Sequence, residues 1–525
     1  MKFEICWKRA SAFLASVVCA ISPAQGAGDL YVDLSNPACP GTGTPADPFC
    51  TIQGAVQASG HGDVIHVAPG TYNEHVLVDA LDISIIATSG PLSTIIDAGG
   101  DGSALRFRNG NGTTSLVEGF TLTGGTGTEE RGGGVYIDSA SPTLRNCTIT
   151  NNHTLARGGG VYARNQSNLI LDGCELSMNS TEIDGGAIFQ SGGSLSLFNC
   201  NVFFNHAKDN GGGIYIRNNA TLTLQTSEVS WNSTLVQDGA GIYLNETALQ
   251  SSKCEIRRNF SGRDGSGLVI HNGSYAEITE TRIKGNRASQ DGGGIYINSS
   301  ELTLERTHLI QNSCGRNGGG MTALNNSEIS IYQGFFRRNH SKGCHGGGIY
   351  MDSIDAMRID ACKFLTNKAR YDGGGIYAVN CSDSVFKRCA FVKNYANNGL
   401  GGAFHLISTS PVIDHCSFSL NGSYLESSAI YGRNLSMPII KDSILWGDLG
   451  AELILVIGNK TPGTGSNTTS VTHSNIEGGW PGANNHDMDP LFVAPINGDL
   501  HLHPTSPMRG LASDGTDLGA YPFSS

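Results

Sequence analysis

Arg257, Arg282, Lys284, Arg337 and Lys363 stand at places where an alternating chain would turn them the same way. Arg258, Arg338, Arg388 and Lys393 lie beside them. Cations gathered on one surface can neutralise the carboxylate or sulfate groups of a polyanion. Once a uronate carboxylate is neutralised, a Lys or Arg of lowered pKa can act as the base of a β-elimination. Lys284 and Arg337 are the first candidates for that catalytic role. Arg257, Arg282, Lys284, Arg337, Arg338 and Lys363 form the candidate substrate-binding set. The competing account of these residues is a solvated charged face that keeps strands from aggregating.

Two further columns could do chemistry. Asp184, Asn210, Asp238, Asp264, Asp291, Asn317, His345 and Asp372 recur at near-constant spacing. The run Asp238, Asp264, Asp291 stacks three carboxylates, which repel unless screened, and carboxylate oxygens suit Ca²⁺. Ca²⁺ is the one cofactor the sequence suggests. The alternative is an Asx-type turn, in which each side chain bonds a following backbone N–H. The second column reads Cys147, Cys174, Cys200, Ser227, Cys254, Thr281, Thr307, Gly334, Cys362, Cys389 and Cys416. A metal or redox ladder would not let Ser, Thr and Gly interrupt it, so buried reduced thiols packing as small hydrophobes are expected. The formal net charge of −12 excludes a nonspecific nucleic-acid binder.

The elements that hold these columns follow from one repeat. A Gly-Gly-Gly-Ile-Tyr-like block has its third position at 134, 160, 187, 213, 241, 267, 294, 320, 348, 375, 403 and 429. An Asn column follows it at 152, 179, 205, 232, 259, 286, 312, 339, 367, 394 and 421. Between them lie period-two segments such as Thr221-Leu222-Thr223-Leu224, with no helical spacing. Each unit thus offers three short strands and three turns. One unit cannot bury its apolar side alone, but stacked units can. The fold class is all-β: a single right-handed, three-sided parallel β-helix with rungs of about 27 residues.

The ends read differently. Lys2, Lys8 and Arg9, the apolar run 10–21 and the small residues around 23–27 predict a secretory signal peptide over 1–26. Residues 27–62 are expected to form an N-terminal cap, with a short helix over 51–58 plugging the first open rung. The β-helix is expected over 63–480 and a C-terminal cap over 481–525. In a secreted chain, Cys39 and Cys50 should form a disulfide across their Pro/Gly-rich loop; Cys314 and Cys344, in loops of successive rungs, could pair as well.

Gly62-Asp63-Val64-Ile65-His66-Val67-Ala68-Pro69-Gly70-Thr71-Tyr72-Asn73-Glu74, preceded by Pro48-Phe49-Cys50-Thr51-Ile52-Gln53, resembles the opening rung of bacterial secreted right-handed β-helix proteins of the pectin-lyase-like superfamily. The GGG-Ile-Tyr blocks with their later Asn resemble the GGxI/FxxN repeats of polymorphic outer-membrane proteins. The tail, with Asp489-Pro490-Leu491-Phe492, Gly498-Asp499-Leu500-His501-Leu502, Ser506-Pro507 and Asp517-Leu518-Gly519-Ala520-Tyr521, resembles a choice-of-anchor Q region. These resemblances cover nearly all of the chain after residue 26 and imply the fold more sharply than an activity. No family catalytic residue carries over: Arg282-Ile283-Lys284 is one element of a polygalacturonase-like set, but there is no adjacent Asp-Asp and no Arg-x-Pro-x-x-Arg.

The sequence therefore points to a protein secreted or held at the cell surface or outer membrane, without a transmembrane segment in the mature chain. It is expected to recognise, and to be able to process, an extracellular acidic polysaccharide or cell-surface glycan, with no nucleic-acid partner. The second reading is a surface adhesin or structural passenger-like rod. An enzyme of this kind would be a polysaccharide lyase or a related carbohydrate-active enzyme.

Overall fold

Alternation turns every second side chain of a short strand inward, and the repeat places those inward residues one above another. In the rung beginning at Ile214, Ile214 and Ile216, then Leu222 and Leu224, then Val229 are all buried. Their strands are Ile214–Arg217, Thr221–Gln225 and Glu228–Ser230. Each pairs in parallel with the equivalent strand of the next rung, as Ile214 with Ile242 and Leu222 with Leu249. The computed structural model describes residues 28–521, apart from 111, 113, 128–131, 426–427 and 457–469. Among these residues the rungs build parallel sheets of 15, 17 and 16 strands, here the first, second and third sheets in chain order within a rung. One apolar core runs through all the rungs. The signal peptide expected over 1–26 lies outside the described residues.

The unit has one strand more than the sequence suggested. After the ladder Asn a two-residue strand, such as Ser233–Thr234, pairs with its copies into a fourth sheet of 11 strands. Two residues carry too little alternation to be read as a strand.

The Asn column lies at the corner between the third and fourth sheets. From Asn152 to Asn394 each side-chain Nδ2 donates to the Oδ1 of the next Asn at 2.9–3.2 Å. The same oxygens accept the backbone N–H of the preceding Asn, as Asn286 Oδ1 does from Asn259 at 3.0 Å. A buried amide that makes all its bonds specifies the stacking register. Asn421 ends the series on Asp448, whose Oδ1 accepts its Nδ2 at 2.9 Å. In the glycine block, backbone of the next rung passes so close that a Cβ on Gly212 would lie 2.4 Å from Ser233 O.

The N-terminal helix spans Ile52–Ala58 and buries Ile52, Ala55 and Val56 over the first rung. Thr51 caps it by accepting from Gly54 N, and both carboxylate oxygens of Glu74 accept from Ile52 N and Gln53 N at 2.8 Å. Cys39 and Cys50 are joined by a disulfide. Cys314 and Cys344 are not: both are free thiols. Cys314 points inward from the fourth sheet and donates to Asn317 O at 3.1 Å, whereas Cys344 stays half-buried in the next rung's loop. The thiols of the Cys column are also free and buried. They act as Ser and Thr do there: Cys200 Sγ reaches Leu171 O at 3.3 Å and Ser227 Oγ reaches Leu197 O at 3.3 Å.

The C-terminal tail was expected as a cap. Just before it, Trp480 packs against the core. From Asp489 onward the tail turns back along the outside of the third sheet. The antiparallel pair Phe492–Ala494 and Asp499–Leu502 brings Leu500 and Phe492 onto Leu365, Ala390 and Val392. Leu502, Met508 and Leu518 pack on Ile444 and Trp446. No helix among the described residues is long and apolar enough to cross a membrane.

Candidate cationic site on the third sheet

The third sheet carries the basic candidates on its outer surface. Ile283, Leu309 and Phe336 point into the core at 0% exposure, so their neighbours in sequence must face out. Arg282 and Lys284 come from Arg282–Lys284, His308 and Ile310 from His308–Ile310, and Phe335 and Arg337 from Phe335–Arg337. Register places Arg282 beside His308 and then Phe335, and Lys284 beside Ile310 and then Arg337. Lys284 and Arg337 are therefore two strands apart, about 10 Å along the solenoid. With Arg338, Gln311 and Glu255 these residues line a shallow depression of about 300 Å³. Arg338 also borders a second hollow of about 380 Å³ with His340, Thr366 and Lys368, which continues the basic surface round the corner onto the fourth sheet.

Arg282, Lys284, Arg337 and Arg338 have no carboxylate within 4.0 Å among the described residues. Two of the other candidates differ. Arg257 is neutralised by Glu228 at 2.8 Å and Glu255 at 3.6 Å. Lys363 lies under the tail, where its Nζ donates to Gly498 O and sits 6.0 Å from the centre of the Tyr521 ring. Burial and the nearby Arg337 charge lower its pKa. Lys393 is held the same way, by Ile496 O. The open cationic surface thus stops where the tail begins.

The right handed beta helix region family matches residues 93–248, 185–345, 266–436 and 347–479 in overlapping segments. The chain belongs to the right-handed β-helix family. No curated protein matches it in sequence. Among solved structures, pectate lyase Pel9A aligns over 95% of this chain and 97% of its own at 10% identity, with a TM-score of 0.21. A rhamnogalacturonan lyase aligns over 89% and 90% at 12% identity, with a TM-score of 0.20. Overlap this loose carries no argument about activity.

In this β-helix the Asp column forms a second side-chain ladder. Asp238 Oδ1 accepts Asp264 N at 2.8 Å, Asp264 Oδ1 accepts Asp291 N at 2.8 Å, and Asp291 Oδ1 accepts Asn317 N at 2.7 Å. Asn317 and His345 continue it to Asp372. Each acceptor serves a backbone N–H one rung on, which Asp, Asn and His all can do. That explains the mixed column, and it differs from an Asx turn, whose bond stays local. Arg263 pairs with Asp238 through Nε at 2.9 Å. Burial, with Asp238 and Asp291 above and below, pushes the Asp264 carboxyl up to about 6. The three carboxylates proposed for Ca²⁺ are turned to the backbone rather than to one point.

The one group of three ligand atoms within 4.8 Å among the described residues is Asp414, His415 and Asp442. Its bonds are spoken for. Asp414 accepts from His415 at 2.7 Å and faces Lys441 at 3.2 Å, and Asp442 accepts from Ser513 N at 2.6 Å. His415 reaches Thr516 at 3.2 Å. This cluster fastens the tail.

Sequence reasoning missed His308, although it stands 26 residues after Arg282 in the same column. Burial and the adjacent Arg282 charge lower its pKa. It is a neutral imidazole amid cations at neutral pH, able to accept a hydrogen bond where its neighbours only donate.

Proposed function

We propose that this right-handed β-helix binds an acidic polysaccharide outside the cell, across the third sheet. Arg282, Lys284, Arg337 and Arg338 take its carboxylate or sulfate groups. One observation carries the reading: four cations on one exposed surface have no carboxylate partner in the described chain, although the protein as a whole is acidic. Guanidinium groups pair such anions with two parallel N–H bonds, and Lys284 adds a point charge. The surface is a shallow depression that continues into a second hollow on the fourth sheet, which suits a chain better than a small molecule. Lys284 and Arg337 remain the candidates for proton abstraction should the bound chain be cleaved.

The test is retention of the purified protein on pectate, alginate and glycosaminoglycan columns, with and without Ca²⁺. Salt should elute it, since exposed charge pairs are screened. Changing Lys284, Arg337 and Arg338 together to Ser should weaken binding at least about tenfold. Stability should stay within about 0.5 kcal/mol of the parent, because all three are surface positions. Arg257→Ser and Lys363→Ser should leave retention intact. Equal retention of the triple variant overturns the proposal. Unsaturated-sugar absorbance on incubation would extend it to β-elimination. Cell attachment without polyanion retention would favour the adhesin reading instead.

A further inference from the structure

The corner between the third and fourth sheets carries one residue per rung just before the ladder Asn. Its backbone is left-handed throughout: Phe204 has φ 53°, Trp231 57°, Arg258 54° and Arg338 54°. The fold sets that conformation, so what varies is the side chain. Glycine fits there at least cost, and Gly285 occupies the place in one rung with φ 66°. A bulky aromatic in a left-handed backbone is uncommon and unfavourable. Yet the rungs before the basic depression carry Phe204 and Trp231, and these are 54% and 43% exposed. They add nothing to the core.

They do form a surface. Phe204 and Trp231 stack with centroids 5.8 Å apart and ring planes 30° from parallel. The Arg258 guanidinium lies 4.8 Å over the Trp231 ring. Phe260, on the neighbouring fourth-sheet strand, is 44% exposed and lies 5.9 Å from the Arg287 guanidinium. Arg258 and Arg287 have no carboxylate within 4.0 Å among the described residues, while the nearby Glu228 is held by Arg257. In the corner column Gly285 and Gln311 separate Arg258 from Arg338, and the third-sheet cations Arg282 and Lys284 fill that interval, so the surface passes from aromatic through mixed to cationic and joins the depression at Arg338.

Resting on the reading of that depression, we infer that the aromatic strip is the other half of the same binding site. Phe204 and Trp231 take the apolar C–H faces of sugar rings, and the cations further along take the acidic groups. The ligand then lies parallel to the solenoid axis and spans at least the five rung intervals from Phe204 to Arg338, about 24 Å at the usual strand spacing. The class this fits is a linear acidic polysaccharide. A polyphosphate would satisfy the cations equally well but has no face to stack.

The experiment compares the full-length protein with Phe204→Gly/Trp231→Gly and with Lys284→Ser/Arg337→Ser. Probes are size-graded oligogalacturonates, alginate and heparin oligomers, and inorganic polyphosphate, measured by calorimetry. Affinity of the parent should climb with oligomer length and level off near 24 Å. The glycine variant should lose about tenfold for oligomers of that length. It should keep parental affinity for short oligomers and for polyphosphate, and melt no lower than the parent, because glycine relieves the left-handed backbone. Equal affinity of parent and glycine variant at every length overturns this inference and leaves the cationic reading standing. Failure of every acidic oligomer to bind the parent overturns both. Concentration-dependent self-association in sedimentation, lost in the glycine variant without change in oligomer binding, would assign the strip to contact between copies and overturn the inference as well.

Discussion

The third sheet has two outer surfaces built from the same positions of the same repeat. Over the rungs from Glu255 to Arg338 the outward places hold Arg282, Lys284, His308 and Arg337, and solvent reaches them. From Lys363 onward the equivalent places hold Leu365, Ala390, Val392, Ser417, Ser419 and Ile444, and the tail packs Leu500, Phe492, Leu502 and Leu518 against the apolar ones. The inward residues do not register the change: Ile283, Leu309, Phe336, Phe364, Phe391 and Phe418 are buried alike. Core and ladder make the rod, while the outer half of the alternation says what lies on it. Where the chain covers itself, the outward places past Lys363 carry no charge: they are apolar or, as at Ser417, bonded to the tail through Ala520 N. In the open region Arg282, Lys284 and Arg337 keep their charge unpaired among the described residues, beside the apolar Ile310 and Phe335.

If that division is sound, the Asn ladder should be indifferent to it. Asn286 lies in the open region and Asn394 in the covered one. Each donates to a carbonyl, Ile256 O or Phe364 O, at 2.9 Å, and each accepts from the preceding Asn. Replacing either by Ala leaves several buried donors and acceptors unpaired, at about 1–3 kcal/mol apiece. Asn286→Ala and Asn394→Ala should thus each cost on the order of 4 kcal/mol in guanidinium unfolding, and by nearly the same amount. A much larger loss for Asn394→Ala would mean that the tail and the ladder are one cooperative unit.

The next largest effect should fall on the tail alone. Leu500 is fully buried between Ala390 and Val392. Leu500→Asp puts an unpaired carboxylate into that seam, which costs roughly 3 kcal/mol or more of docking free energy. Limited proteolysis should then remove residues beyond about 488 while the rod stays resistant, and polyanion retention should persist. Loss of retention together with the tail would show that the cover shapes the open surface through Lys363 and Arg337, and the two regions would no longer count as separate.

The same contrast marks what could be read from the residues alone. The spacing of the Gly block and the Asn column is a one-dimensional signal, because each rung touches only its neighbours, and it carried the fold. The outward setting of Arg282, Lys284 and Arg337 followed from alternation. The pairing of Arg257 with Glu228 did not, since it is a diagonal contact between strands 27 residues apart. Still less legible was the cover over Lys363, which comes from Gly498, 135 residues away. A trace of it was present all the same: past Lys363 the outward places of the third strand lose their charges, as in Ala390-Phe391-Val392 and Ser417-Phe418-Ser419. A tail that returns to a solenoid leaves its mark on the surface it covers, not in its own pattern. His308 sat in plain register with Arg282, but attention to charge alone passes over a neutral ring.

Two histidines give the smallest and most diagnostic contrast. In the covered region His415 donates to Asp414 at 2.7 Å, and that bond raises its pKa above the ordinary value near 6.5. The part of that rise that comes from Asp514, 3.6 Å away on the tail, depends on docking, so the His415–Asp514 attraction is complete below about pH 6.5 and is lost as pH climbs through the raised value. In the open region burial and Arg282 lower the pKa of His308, so it stays neutral at pH 6.5–8 and gains charge only in more acidic solution. A bound polyanion would stabilise that charge. Raising the pH from 6 to 8.5 should therefore speed proteolytic release of the tail, and His415→Gln should remove that dependence. Lowering the pH from 6.5 to 5 should tighten polyanion binding beyond what a His308→Asn variant shows. Both shifts should be a few-fold, below the effects above, and of the same sign, each contact strengthening as pH falls, but in separate windows: above about pH 6.5 for His415 and below it for His308. A single midpoint for both responses would mean that they report one shared titration rather than two distinct surfaces of a single sheet.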